Sequence, residues 1–233
     1  MAARRDYFDG CGAAHALDLV GERWALLVVR ELMLGPKRFT DLRVGLPHAS
    51  PNVLSQRLRE LEDAGVLRRR RLPPPAASAV YELTEWGQEL EPVLQSLGRW
   101  AARSLPESDS IKVDSFILSL RTMFAPDQAG DDVVTMQLVL DEQPFRVHLG
   151  RGALEIERGE LPGADVTVRC APITLAGIVY GGRPLQDAQD DGSLVYTGDA
   201  SVIARLVGAV RMPEPLPAES QPAESQPAES QPA

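Results

Sequence analysis

An amphipathic helix leads directly into a β-hairpin within residues 50–84, and this order of elements limits the fold more than any other part of the sequence. The pair Ser50-Pro51 is a natural N-cap followed by a natural first-turn residue. Leucines at positions 54, 58 and 61 then recur at a spacing that predicts one buried helical stripe. Residues 66–84 (VLRRRRLPPPAASAVYELT) predict a strand, a Pro/Ala/Ser tip and a second strand.

The side of this helix opposite the leucine stripe carries groups suited to reading bases. It presents Asn52, Gln56 and Arg59, placed by the helical rotation of about 100° per residue. Amide and guanidinium groups form paired hydrogen bonds with adenine and guanine edges in the major groove of DNA. The same side chains would also suit an ordinary solvated helix face, so the helix alone leaves both interpretations open.

Charge is unevenly distributed along the chain. The formal net charge of −9 and a pI near 4.9 argue against a phosphate-rich partner. However, residues 1–105 carry 15 Lys and Arg against 13 Asp and Glu, whereas residues 106–212 carry 9 against 16. Residues 57–71 contain six arginines, four of them successive in the first arm of the hairpin, against three acids. Because charges are screened over about 8 Å at physiological salt, DNA would respond mainly to this local basic surface.

Two further helices are predicted before the helix that carries the polar face, which we call the reading helix. Residues 22–34 are apolar on most sides, as in a helix buried among others, and Gly35-Pro36 ends them. Residues 39–46 predict a short second helix. Helix, helix, reading helix and two-stranded wing together form a winged helix-turn-helix.

Several strings in this region resemble the HxlR-type winged-helix transcriptional regulators, relatives of the MarR group. They are GERW at 21–24, RFTDL at 38–42, RLRELEDAG at 57–65, LTEWG at 83–87 and the later Trp100. The chain departs from the family pattern at Glu22, where a lysine is usual. The resemblance implies a homodimeric repressor whose two reading helices enter successive major grooves of a pseudo-palindromic operator in double-stranded DNA.

The resemblance also implies roles for individual residues. The candidate DNA-binding residues are Arg38, Ser50, Asn52, Ser55, Gln56, Arg57, Arg59, Arg68, Arg69, Arg70 and Arg71. The dimer surface would come from a first helix at 13–20 and a last helix at 85–103, whose apolar residues would otherwise be core. Cys11 matches a cysteine that senses electrophiles or oxidants in some members, so it is a possible redox sensor, with an inert thiol as the alternative.

Residues 110–212 predict an α+β layer with helices on one face of a largely antiparallel sheet. Residues 161–210 resemble the carrier-type fold of the sterol carrier protein family, which implies an apolar tunnel for a hydrophobic small molecule. The candidate effector pocket comprises Phe116, Leu120, Met136, Leu138, Val147, Leu175, Ile178, Val179, Leu206 and Val207. For each of these residues, ordinary core packing is the alternative.

No pattern for catalysis or for a cofactor is evident. The sequence has no Ser-His-Asp set, phosphate-binding loop or metal-ligand spacing, so we expect neither an enzyme nor a bound metal. The two cysteines, Cys11 and Cys170, lie outside any CxxC pattern, so a disulfide framework is not expected. The absence of a long apolar run or signal-peptide core favours a cytoplasmic location without membrane partners.

The expected organisation is an α+β protein of two domains, a winged helix-turn-helix at 1–105 and a sterol-carrier-like α+β sandwich at 110–212. Residues 213–233 contain a PAESQ repeat and are interpreted as a disordered tail without assigned function. The alternative for the whole chain is a lipid-carrier or scavenging protein that uses its winged helix to bind another protein.

Overall fold

A computed structural model describes residues 7–74, 78–106 and 108–217 of the protein, which build two hydrophobic cores. The architecture is α+β with two domains, as the sequence predicts. Residues 75–77 of the hairpin tip and the repeats beyond residue 217 lie outside the described residues.

The N-terminal half contains the helices and the wing of a winged helix-turn-helix. Its elements are α1 (Gly12–Val20), α2 (Ala25–Leu32), α3 (Phe39–Gly45), α4 (Pro51–Asp63), β1 (Leu67–Arg71), β2 (Ala79–Leu83), α5 (Glu85–Gln88) and α6 (Glu91–Ala101). The leucine stripe of the reading helix, α4, is buried: Leu54, Leu58 and Leu61 are at most 1% exposed. This burial leaves the opposite side of α4 available to a partner.

Two helix boundaries differ from the sequence expectation. The helix expected from residue 22 begins at Ala25, because Trp24 adopts a left-handed backbone with φ of 78°. The single helix expected over 85–103 is divided at Leu90. Pro92, in the first turn of α6, has no N–H to donate to the preceding turn, so a new helix begins there.

The C-terminal half alternates strands and helices around the second core. Its elements are α7 (Val113–Met123), β3 (Val134–Leu140), β4 (Gln143–Gly150), β5 (Ala153–Arg158), β6 (Val166–Cys170), α8 (Pro172–Val179), α9 (Leu185–Asp190), β7 (Leu194–Gly198) and α10 (Ala200–Gly208). The five strands form one sheet in the order β5-β4-β3-β6-β7.

The register of this sheet follows from its connections. The turn between β3 and β4 has only two residues, Asp141 and Glu142, both with positive φ, as tight hairpins require. β3 pairs in parallel with β6, whereas the other neighbouring strands are antiparallel. Helices α7, α8 and α10 pack against the sheet and each other, so the core lies between the sheet and these helices.

The two halves contact each other through charged pairs around packed helices. α6 packs against α7. Lys37 Nζ lies 2.6 Å from Asp114 Oδ2, and Arg121 Nη1 donates to Glu91 Oε1 at 3.0 Å. Each pair joins one residue of the winged-helix half to one of the C-terminal half.

Residues 214–216 contact the winged-helix half. The backbone N–H of Leu216 donates to the carbonyl of Arg103 at 2.8 Å, and Arg103 Nε donates to the carbonyl of Glu214 at 3.0 Å. The last described residues are therefore attached to the segment that follows α6.

Candidate nucleic-acid interface

The exposed side of α4 is the centre of the candidate interface. Four residues named from the sequence face solvent wholly or in part: Asn52, Ser55, Gln56 and Arg59. The helix begins where the sequence predicts, because Ser50 Oγ accepts a hydrogen bond from the Val53 backbone N–H at 3.3 Å. This cap places the polar residues in the first turns of the helix, the part of a reading helix that reaches base edges.

Arg57 does not belong to this surface, which corrects the expectation that it contacts DNA. Its side chain is only 9% exposed. Position 57 comes three residues after Leu54 and four before Leu61, so it lies beside the buried stripe. Arg57 Nη1 lies 2.7 Å from Glu60 Oε2 and 3.3 Å from Glu22 Oε2. These carboxylates offset the charge of the buried guanidinium, so Arg57 links α4 to the turn before α2 instead of offering a charge to a phosphate.

Glu22 and Glu60 are functional candidates that the sequence reasoning missed. Glu60 uses both carboxylate oxygens, since Gln56 Nε2 donates to its Oε1 at 2.9 Å. The helical spacing of Gln56, Arg57 and Glu60 signals these local contacts. No sequence signal pairs Glu22 with Arg57, because the two residues belong to different elements.

All four arginines of β1 are exposed, as a phosphate-binding surface requires. Arg68 and Arg70 share Glu82 of β2, with Nε to oxygen distances of 2.8 and 2.5 Å. The hydrogen bond from Arg70, supported by the one from Arg68, lowers the pKa of Glu82. Glu82 therefore offsets part of the positive charge on this side of the wing. Once the hairpin register is known, the alternation of side chains along β1 and β2 predicts that Glu82 lies on the same side as Arg68 and Arg70.

Arg69 and Arg71 occupy the other side of β1. The Arg69 guanidinium lies 5.9 Å from the centre of the Tyr81 ring, a cation–π arrangement. The Arg69 backbone N–H donates to Glu62 Oε1 of α4 at 3.3 Å. This contact joins the wing to the end of the reading helix, so the two candidate surfaces adjoin.

Arg38 lies near the base of the wing. It precedes α3 and is exposed. The neighbouring Lys37 pairs with Tyr81 through two backbone hydrogen bonds, of 3.0 and 2.8 Å. The structure thus places Arg38 beside the same hairpin as the four arginines.

This arrangement brings together side chains suited to two kinds of contact with DNA. The exposed guanidinium groups suit phosphate oxygens, which carry no sequence information. The side chains of Asn52, Gln56 and Arg59 offer the donors and acceptors that distinguish base edges. A double helix could meet both sets at once, because they lie on adjoining elements of one half.

An exposed apolar stripe runs along α6. Val93, Leu97 and Trp100 recur at spacings of four and three residues, so they share one face, and Trp100 is 73% exposed. Leu90 and Leu94, by contrast, pack against the N-terminal core. The sequence left open whether the apolar residues of this segment are core or interface, and in the structure some pack against the core while others are exposed to solvent.

The two cysteines lie in different environments. Cys11 is the exposed N-cap of α1, and the backbone N–H groups of Ala14 and Ala13 in the first turn of the helix lower the pKa of its thiol. Burial raises the pKa of Cys170 to about 12. The thiolate is therefore far more accessible at Cys11.

The ten candidate effector residues come together between the sheet and its helices. Nine are buried in the C-terminal core and Val207 packs against it. A separate cleft of about 320 Å³ opens between α6, α7 and β5, and none of the ten lines it. Its apolar floor is Phe124, Leu154 and Ile156, which belong to the C-terminal core or pack against it.

Over residues 7–217, apart from 75–77 and 107, no helix is long and apolar enough to cross a membrane. Across those same residues, no three or more His, Cys, Asp or Glu side chains are grouped so as to hold a metal ion.

Comparison with known proteins identifies relatives of the N-terminal half. Residues 19–109 match the family model described as HxlR-like helix-turn-helix. The chain is 38% identical over 93 residues to the HTH-type transcriptional regulator YvaP of Bacillus subtilis, covering 40% of this chain and 86% of YvaP. It is 36% identical over 96 residues to YodB of the same species, covering 41% of this chain and 86% of YodB.

A solved structure, the reduced form of YodB from B. subtilis, matches with 36% identity and a TM-score of 0.38, over 42% of this chain and 98% of that one. Structures of quinone-bound and diamide-treated YodB match as well. For the C-terminal half, residues 106–216 match the alkyl sulfatase C-terminal family model. That finding replaces the sterol carrier name suggested by the sequence.

The matched relatives are HTH-type transcriptional regulators, and most of the length of each is covered by this chain. The protein therefore belongs to the HxlR-like helix-turn-helix family, with a distinct second domain that matches the alkyl sulfatase C-terminal model.

Proposed function

We propose that this protein is a cytoplasmic, homodimeric repressor that binds a pseudo-palindromic operator in double-stranded DNA and has no catalytic activity of its own. In this proposal residues 1–105 bind DNA, residues 110–212 bind a hydrophobic effector, and residues 213–233 form a tail. The observation that carries the proposal is the exposed polar face of α4, which adjoins a wing with four exposed arginines.

DNA selected from a random duplex pool by the purified full-length protein tests this proposal directly. We expect enrichment of an inverted repeat whose half-sites are about 10 bp apart or a multiple of that distance. A pool that shows no enrichment would contradict sequence-specific binding. That outcome would favour the alternative role, a lipid carrier whose winged helix binds another protein.

The dimer in this proposal forms through α1 and α6. The exposed stripe of Val93, Leu97 and Trp100 supports it, because a large apolar patch exposed on one protomer marks an interaction surface. Leu17 of α1 is exposed as well. Sedimentation at micromolar concentration should give the mass of two chains, and the mass of one chain would contradict the proposal.

Cys11 is the proposed redox-sensitive group. Its exposure and lowered pKa support this role, and the related YodB has been solved in reduced and quinone-bound forms. Treatment with a quinone or diamide should modify Cys11 and change operator affinity in the natural protein but not in Cys11→Ser. An unchanged affinity after complete modification would contradict the role. Cys170→Ser serves as the matched control.

The proposed effector is a hydrophobic small molecule held between the C-terminal sheet and its helices. Since the ten candidate residues pack closely there, we place entry at the cleft floored by Phe124, Leu154 and Ile156, which borders the same core. Native mass spectrometry should detect a bound apolar ligand that Leu154→Trp displaces and Val195→Trp, on the exposed side of β7, does not. If the protein purified from cells and the protein incubated with lipid both give only the ligand-free mass, effector binding would be contradicted.

A further inference from the structure

A continuous series of polar contacts runs from the turn before α2 to the polar face of α4. Glu22 Oε2 lies 3.3 Å from Arg57 Nη1, and the same nitrogen lies 2.7 Å from Glu60 Oε2. The other oxygen of Glu60, Oε1, accepts a hydrogen bond of 2.9 Å from Gln56 Nε2. We call these four side chains the Gln56 relay.

The buried member of the relay determines where Glu60 lies. Arg57 is 9% exposed at its side chain, and a guanidinium removed from water requires carboxylate partners. Glu60 is one of its two such partners, the other being Glu22 of a different element. Glu60 is consequently held on the side of α4 next to Gln56, whereas a free surface glutamate would sample several rotamers.

Glu60 in turn determines how Gln56 presents its amide. An ionised carboxylate only accepts hydrogen bonds, so the nitrogen and not the oxygen of Gln56 must face it. One of the two N–H groups of Nε2 is then occupied. One N–H and the carbonyl oxygen remain, and no described residue donates to that oxygen.

The remaining donor and acceptor match one purine better than the other. In the major groove adenine offers the N6 amino donor and the N7 acceptor, whereas guanine offers two acceptors, O6 and N7. A glutamine with one N–H already bound can still satisfy adenine with its oxygen and its second N–H. It cannot supply the two donors that guanine needs.

We propose that Gln56 reads an adenine in the operator and that Glu22, Arg57 and Glu60 are positioning residues that orient its amide for this base. The inference rests on the proposed DNA-binding function and adds the base preference of one position in the site. It also gives buried Arg57 a role in specificity without contact to DNA.

The test compares affinities for single-base variants of the operator selected by the natural protein. Gln56→Ala identifies the contacted position as the one where the natural protein discriminates and the variant does not. At that position the natural protein should prefer adenine over guanine by about tenfold or more. In the Glu60→Gln variant, the new amide at position 60 no longer dictates the orientation of Gln56. The ratio of the affinity for adenine to that for guanine should therefore fall to about threefold or less.

The matched control is Asp63→Asn, an exposed carboxylate-to-amide change on the same helix, which should retain the natural ratio. Glu22→Gln, which leaves Glu60 untouched, should reduce the ratio partially, and its thermal unfolding midpoint shows whether α4 remains packed.

A folded Glu60→Gln that keeps the natural ratio would overturn the relay, and so would Gln56→Ala with unchanged preferences at every position. Failure of the natural protein to bind any duplex at low salt would instead overturn the proposed function and the relay with it.

Discussion

Lys37 Nζ of the winged-helix half lies 2.6 Å from Asp114 Oδ2 of the C-terminal half. Both side chains are largely buried, and Lys37 also contacts Glu31 Oε2 at 2.5 Å. Arg158 of β5 donates to the other oxygen of Asp114. Since the backbone of Lys37 pairs with the wing, this cluster links the C-terminal sheet to the element that carries the candidate phosphate contacts.

The Asp114→Asn substitution should destabilise the contact between the halves. It removes one carboxylate from a buried cluster that contains Lys37 and Arg158, and breaking a buried ion pair costs about 3 kcal/mol in the free energy of unfolding. Urea unfolding should show this loss, while the exposed Asp131→Asn stays close to the natural protein. Equal stability of the two variants would mean that the cluster does not hold the halves together.

The Glu82→Gln substitution should strengthen binding to DNA of any sequence. It releases Arg68 and Arg70 from a shared carboxylate, so log K against log salt should become steeper by about one unit. Fluorescence anisotropy of a labelled duplex measures this slope, with Glu85→Gln in α5 as the control. A slope that stays the same would show that these two arginines do not approach phosphates.

Acid should loosen the hairpin only at low pH. Because the pKa of Glu82 is lowered in the folded protein, its contribution to stability is complete above the ordinary glutamate pKa of about 4.3 and is lost as the pH falls through the lowered folded value. Hydrogen exchange of the β1 and β2 amides, compared between the natural protein and Glu82→Gln, measures this contribution. Loosening already at pH 6 in the natural protein alone would contradict the assignment.

The two cysteines should differ in their rate of alkylation by iodoacetamide. The lowered pKa of Cys11 means that its rate of alkylation should reach half-maximum at a lower pH than it would for the same thiol without those backbone N–H groups. Cys170, with a pKa raised to about 12, should remain unmodified until the protein unfolds. Peptide mass spectrometry across pH measures both rates. Faster labelling of Cys170 in the folded protein would contradict the structure.

The Trp100→Glu substitution should dissociate the proposed dimer. It places a charge in the exposed apolar stripe of α6 and should weaken operator binding by about a hundredfold, because the two half-sites are no longer bound together. Analytical ultracentrifugation gives the mass, and Val195→Glu on β7 is the control. A Trp100→Glu protein that keeps the mass of the natural protein would exclude this surface.

Local patterns predicted much of the fold. The cap at Ser50, the buried stripe of α4 and the alternation of the C-terminal strands follow from residues adjacent in sequence or one helical turn apart, where propensity and spacing are informative. The parallel pairing of β3 with β6 depends instead on how the chain returns after β5, which no local pattern specifies.

Contacts between distant residues account for what the sequence did not predict at the candidate interface. The positive charge of Arg57 and its place in a basic segment suggested a phosphate contact. Its burial becomes evident only once Glu22 is placed beside it. The pairing of Glu82 with the wing arginines can be predicted only when the hairpin register is known. The pairing of Asp114 with Lys37 can be predicted only when the packing of α7 near the wing is known. In each case a charged side chain is paired with a residue from another element.

The salt dependence of duplex binding tests the central claim that the wing and α4 bind DNA. Log K for the natural protein should fall linearly with log salt, and Arg70→Ala/Arg71→Ala should flatten the slope by about two units. Arg151→Ala/Arg211→Ala, in the C-terminal half, should leave it unchanged. Absence of duplex binding, or a slope that is the same in all three proteins, would contradict the account.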